Sequence, residues 1–172
     1  MREFFGFADW PQQTVRFDLG GRRLEITGSP GHHRAAITVY DPWSGFLLSG
    51  DTVLPGRIYA PDFPAFLASM DRMVDFARGR EVTHVMGGHI EMTRKPGRDY
   101  PLGCTYQPDE PPPQMTVRQL TAVRDAARSA EGKPGAHVFD DFLIFNGPCR
   151  GAVAKLILRG LWARSAAALR AG

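Results

Sequence analysis

Three side chains able to bind a cation or carry a proton stand beside glycine in this sequence. They are His32 in Ser29-Pro30-Gly31-His32-His33, Asp51 in Leu48-Ser49-Gly50-Asp51-Thr52, and His89 in Met86-Gly87-Gly88-His89. Neutral imidazole nitrogens and a carboxylate able to bridge are the donors that a zinc-type cation takes. The adjacent glycine lets the backbone turn sharply or lets another group come close. Each residue also has an ordinary use: a histidine after glycine closes a turn, and Gly-Asp after a strand makes a turn or a helix cap. Metal chemistry therefore requires that the three segments converge. His33 is either a pocket-lining residue that contacts substrate or a solvent-facing turn residue.

The elements around these residues place all three at strand ends. Val15–Leu19 and Leu24–Thr27 alternate apolar and polar around Gly20-Gly21, the pattern of a hairpin. Ala36–Tyr40 and Phe46–Ser49 read as two more strands joined by Asp41-Pro42-Trp43-Ser44-Gly45. Four strands in so short a stretch imply a mostly antiparallel sheet. From Asp62 to Arg78 the spacing of Phe63, Phe66, Leu67, Met70, Met73, Val74 and Ala77 is that of an amphipathic helix stopped by Gly79. Val82–Met86 is a strand running into Gly88 and His89.

Residues 93–114 are rich in Pro and Gly and predict a long surface excursion. Thr116-Val117-Arg118-Gln119 has capping-box spacing and opens a second helix reaching Gly132. Val138–Phe145 predicts a last strand pair or one long edge strand. His84 reads as a structural strand residue, and His137 as a loop residue. Glu91, Arg94 and Tyr100 border the segment after His89, where a surface position is the ordinary outcome for Glu and Arg. Cys104 and Cys149 lack a C-x-x-C partner and read as inert thiols.

The 172 residues carry 43% hydrophobic and 23% charged side chains, in the range of an ordinary globular domain. Two cysteines are too few for a disulfide framework, and no apolar run approaches the ~18 residues of a membrane-spanning helix. A soluble, cytoplasmic protein is the expectation. The net charge of +3 is uneven: residues 150–172 contain Arg150, Lys155, Arg159, Arg164 and Arg170 without an acid, which leaves −2 on residues 1–149. That division argues against general nucleic-acid binding, which needs a basic face on the core.

Motif, spacing and context together resemble the later half of the metallo-β-lactamase fold, the superfamily of metal-dependent hydrolases that includes glyoxalase II-like enzymes. The resemblance runs from Gly21 to His89, through the strand before Pro30-Gly31-His32, the strand pair leading to Leu48-Ser49-Gly50-Asp51-Thr52, the helix containing Phe66-Leu67-Ala68-Ser69-Met70, and the strand ending in Gly88-His89. It implies an α/β (α+β) class, with a mostly antiparallel sheet flanked by helices as the later half of an αββα sandwich. Residues 1–149 would form that partial domain and 150–172 a basic C-terminal helix.

In such a family His32 would be a ligand of a first metal, Asp51 the catalytic carboxylate bridging both metals, and His89 a ligand of the second. The implied cofactor is zinc, up to two ions, with iron or manganese as alternatives. The implied reaction is attack by metal-activated hydroxide on an ester, thioester, lactone, amide or phosphoester of a small-molecule substrate.

The departure from the family is equally specific. Its H-x-H-x-D-H signature is absent, since the histidines stand only at 32, 33, 84, 89 and 137, and thirty-one residues precede His32. The chain thus reads as a truncated form, weak in metal binding and in activity unless a complementing chain supplies ligands. The resemblance leaves two other functions open: a non-catalytic binding module on a degenerate fold, and an iron-dependent dioxygenase of the same fold. A sheet face left without its usual cover predicts homo-oligomers or aggregation. For the terminal helix, Val153, Leu156, Ile157, Gly160, Leu161 and Ala168 are expected to form the face that packs on the domain. A helix bound to an anionic membrane surface or a partner protein is the other reading.

Overall fold

In the computed structural model, residues 2–171 are described, and two sheets and four helices are formed. A short helix α1 (Arg2–Phe5) precedes the strands β1 (Thr14–Asp18), β2 (Arg23–Gly28), β3 (Ile37–Asp41) and β4 (Phe46–Gly50). These pair in sequence order and antiparallel, with Val15 opposite Ile26, Ile26 opposite Val39 and Val39 opposite Leu48. The next strand, β5 (Arg57–Ala60), leaves this sheet, and helix α2 (Phe63–Arg78) returns the chain to β6 (His84–Gly87), which lies parallel to β4. β7 (Gln114–Met115) completes a six-stranded sheet of order β1-β2-β3-β4-β6-β7. The mostly antiparallel, helix-flanked architecture is the one expected.

Helix α2 forms where the three- and four-residue spacing predicts it. Asp62 caps its first turn by accepting the Ala65 N–H, and Pro64 occupies an early position whose missing N–H costs nothing. Thr116 and Gln119 form the reciprocal capping box of helix α3 (Val117–Ala130). Both helices lie on one face of the large sheet. Phe66, Met70, Met73 and Val74 from α2 and Leu120, Val123 and Ala127 from α3 bury a shared core with Tyr40, Leu47, Val85 and Met115.

The opposite face is covered only in part. Phe4 and Phe5 pack on Phe17, and Trp10 and Pro11 close over Gly28 at the β1–β2 end. Farther along, Val39, Leu48 and Met86 share that face by register. Leu48 is 43% exposed, and Val39 and Met86 are half-buried.

Two sequence expectations are corrected, and one strand is new. β5 had no signal, because four residues are too few to show a period. The strand pair near 138–145 exists as β8 (Gly135–Val138) and β9 (Leu143–Asn146), so His137 lies on a strand with its Nε2 2.8 Å from the Lys133 carbonyl. Together β5, β9 and β8 make a second sheet. The terminal helix α4 (Arg150–Ala171) packs through Leu156 against Met92, Leu143 and Phe145, and through Gly160 against Leu102. Val153, Ile157 and Leu161 of the expected packing face are exposed instead, because the helix meets the body along one narrow line. The side chain of Ala168 lies outside the described residues.

Candidate metal centre

β2, β4 and β6 run in the same direction, since β2 and β4 are each antiparallel to β3 and β6 is parallel to β4. Their C-terminal ends therefore open on one edge of the sheet. His32 follows β2, Asp51 follows β4, and His89 follows β6. The three segments do converge: the His32 Nε2 is 3.7 Å from Asp51 Oδ2, and the His89 Nε2 is 3.6 Å from Asp51 Oδ1. One carboxylate thus presents a separate oxygen to each imidazole.

The loops holding these residues are fixed by short-range contacts. The Ser49 hydroxyl donates to the carbonyls of Val53 and Met86, and the Gly88 N–H donates to the Gly50 carbonyl, which ties the Asp51 turn to β6. A Cβ at Gly88 would sit 2.5 Å from Asp51 Oδ1, so only glycine leaves that oxygen its place. On the other side, the Ser69 hydroxyl of α2 donates to the Pro30 carbonyl at 2.6 Å. Gly31, at φ +142°, lies where a Cβ would come within 2.4 Å of the Phe66 Cα. Helix α2 thereby sets the height of the His32 loop.

His32 Nδ1 is 2.9 Å from the Tyr59 carbonyl oxygen. A carbonyl can only accept, so the proton of a neutral ring resides on Nδ1 and the Nε2 lone pair faces Asp51. That arrangement favours a cation between ring and carboxylate. Burial pushes the neighbouring Tyr59 phenol upward from its ordinary value and keeps it neutral.

Donor type and spacing both suit a zinc-type ion. Bonds of about 2.0–2.1 Å would place two donors of a tetrahedral zinc about 3.3 Å apart. Donor number does not suit it: Asp51 with either histidine supplies two donors per ion, fewer than the three usual in a catalytic site. Among the described residues, no group of three or more His, Cys, Asp or Glu side chains is arranged to hold a metal ion on its own. The site is open, with the three side chains 31%, 48% and 46% exposed in chain order.

His33 is exposed, and its Nδ1 accepts the Ala35 N–H at 3.2 Å, as a turn-closing residue would. His84 lies on β6 with its ring against Phe46. Cys104 and Cys149 are free thiols. One cluster next to the site has no signature in the sequence. The Arg57 guanidinium, almost fully buried, donates to Glu91 Oε1 at 2.6 Å, to Asp99 Oδ2 at 2.7 Å and to the Tyr100 carbonyl. The Arg57 N–H donates to Glu91 Oε2 at 2.7 Å, and Arg159 of α4 reaches Asp99 at 2.7 Å. Glu91, two residues after His89, is thereby held in place, with Oε2 3.9 Å from His89 Nδ1.

Comparison with known proteins shows what the chain as a whole is similar to. A family model described as the metallo-beta-lactamase superfamily matches residues 4–135. A hydroxyacylglutathione hydrolase of a Synechococcus strain is 30% identical over 125 residues, covering 67% of this chain and 47% of that protein. The chain thus spans about half the length of the curated relative it matches. Among solved structures, a sec-alkyl sulfatase double mutant aligns over 73% of this chain and 18% of its own, at 16% identity and a TM-score of 0.50. An archaeal protein of the same superfamily from Sulfolobus tokodaii aligns over 86% of this chain and 48% of its own, at 18% identity and a TM-score of 0.45.

Proposed function

The chain belongs to the metallo-β-lactamase superfamily, and from that premise we propose that it carries the later part of a metal-dependent hydrolase centre. In this reading Asp51 is shared between two cation positions, His32 fixes one and His89 the other. The observation that carries it is the division of the Asp51 oxygens between two imidazole Nε2 atoms.

A bound zinc-type ion would supply water of lowered pKa and polarisation of the scissile bond. The chain's own residues supply position. Asp51 is set by the Ser49 and Gly88 contacts, His32 holds its proton at Nδ1 through the Tyr59 carbonyl, and the Arg57–Glu91 pair immobilises the segment leaving His89.

Two donors per ion give a centre of low affinity, so the remaining ligands are assigned to a complementing polypeptide. The exposed face of Val39, Leu48 and Met86 gives such a partner an apolar surface to cover. The likeness to a hydroxyacylglutathione hydrolase favours a thioester among the candidate substrates.

Zinc titration followed by amide and imidazole NMR shifts tests the reading without relying on activity. Shifts are expected at His32, Asp51 and His89, with the affinity lowered at least tenfold in Asp51→Asn. Shifts centred on other residues, or an Asp51→Asn variant that binds as the parent does, would overturn it.

A further inference from the structure

Helix α4 lies beyond the residues 4–135 matched by the superfamily model, so the hydrolase reading does not account for it. Its inward side is anchored by Leu156, by Gly160 against the Leu102 carbonyl, and by Arg159, which donates to Asp99 and to the Tyr100 carbonyl. Those anchors fix which side of the helix faces out.

Outward stand Ile157, Leu158, Leu161 and Trp162, at 45%, 66%, 50% and 73% exposure. At 100° per residue they form one continuous stripe. Lys155 follows its one edge, and Arg150 stands exposed at the start of the helix. The five basic residues of 150–172 meet no acid within the segment.

We propose that this stripe docks on an anionic lipid surface, with α4 lying in the interface plane. An outward Trp-Leu-Ile stripe flanked by Lys155 and Arg150 matches a bilayer boundary: the rings and aliphatic groups enter the acyl region, and these two basic heads meet lipid phosphates. The helix lies on the surface and does not span it, since no helix among the described residues is long and apolar enough to cross a membrane. A second copy is a poorer occupant. Pairing two α4 stripes would bring together two segments that carry basic residues and no acid of their own.

Vesicle flotation of the full chain tests this, using phosphatidylcholine with and without phosphatidylglycerol. Binding is expected only to the anionic vesicles and is expected to fall as salt is added. Trp162→Ala should weaken it about tenfold, from the apolar burial lost, and Lys155→Ala about fivefold, from one surface charge. Both positions are exposed, so the thermal melt should not move.

Leu48→Lys, on the open sheet face, should float as the parent does. Loss of binding in that variant would show that the sheet face holds the vesicle, and would overturn the proposal. Equal binding to neutral vesicles would overturn it too. So would a vesicle-independent dimer dispersed by Leu158→Asp, which would assign the stripe to a second copy.

Discussion

Gly31 and Gly88 show how one residue type serves two purposes beside the same site. A methyl group at Gly88 meets only Asp51 Oδ1, the end of a half-exposed side chain that can swing into solvent. Gly88→Ala is therefore expected to leave the melt nearly unchanged while weakening zinc binding at least tenfold, read by the same NMR titration. At Gly31 the methyl meets the backbone of Phe66, which is packed in the core and cannot swing away. Gly31→Ala should cost about 1–3 kcal/mol in urea unfolding, as overpacking does.

Asp41 is a different case. It accepts from the Arg22 guanidinium, the Ser44 hydroxyl and the Trp43 N–H, and the Arg22 hydrogen bond above all holds its carboxyl far below the usual carboxylate range. A depressed folded-state pKa stabilises the fold above the unfolded value near 3.9 and loses that contribution as pH falls through the folded one. The chain should thus lose stability on acidification below about pH 4. Asp41→Asn should flatten that limb of the stability profile.

At the scale of elements, the parallel pairing of β4 with β6 is what brings the chemistry together. It sets Gly50 beside Gly87, so that Asp51 and His89 leave the sheet side by side. Arg57 links elements that share no hydrogen-bond ladder: β5 holds it, Glu91 and Asp99 come from the long connection before β7, and Arg159 of α4 joins at Asp99. Replacing it leaves a nearly buried Asp99 and a mostly buried Glu91 without their shared cation. Arg57→Met should therefore lower the unfolding free energy by about 3–5 kcal/mol. The measurement is a urea midpoint with an unchanged denaturant slope.

For the whole molecule, the open sheet face is the feature with the clearest physical consequence. Leu48 sits on it between Val39 and Met86, and apolar surface of this kind drives association. Leu48→Lys should shift sedimentation toward the monomer at concentrations where the parent associates, without lowering the melt, because a side chain already exposed loses little packing.

The sequence by itself determined the strand ends bearing His32, Asp51 and His89, the helices α2 and α3 with the Thr116 capping box, and, through its resemblance to a known family, the superfamily. The elements rest on local signals: a period, a cap spacing, a glycine next to a functional residue. Only the tertiary structure decided which oxygen of Asp51 faces which imidazole, that the Tyr59 carbonyl fixes the His32 proton, and that Arg57 gathers Glu91, Asp99 and Arg159. It also turned Ile157 and Leu161 outward where the apolar spacing of the helix predicted packing. Those outcomes depend on residues far apart in the chain meeting at fixed angles. A four-residue strand such as β5, or one buried arginine, leaves no periodic trace by which such a meeting can be read in advance.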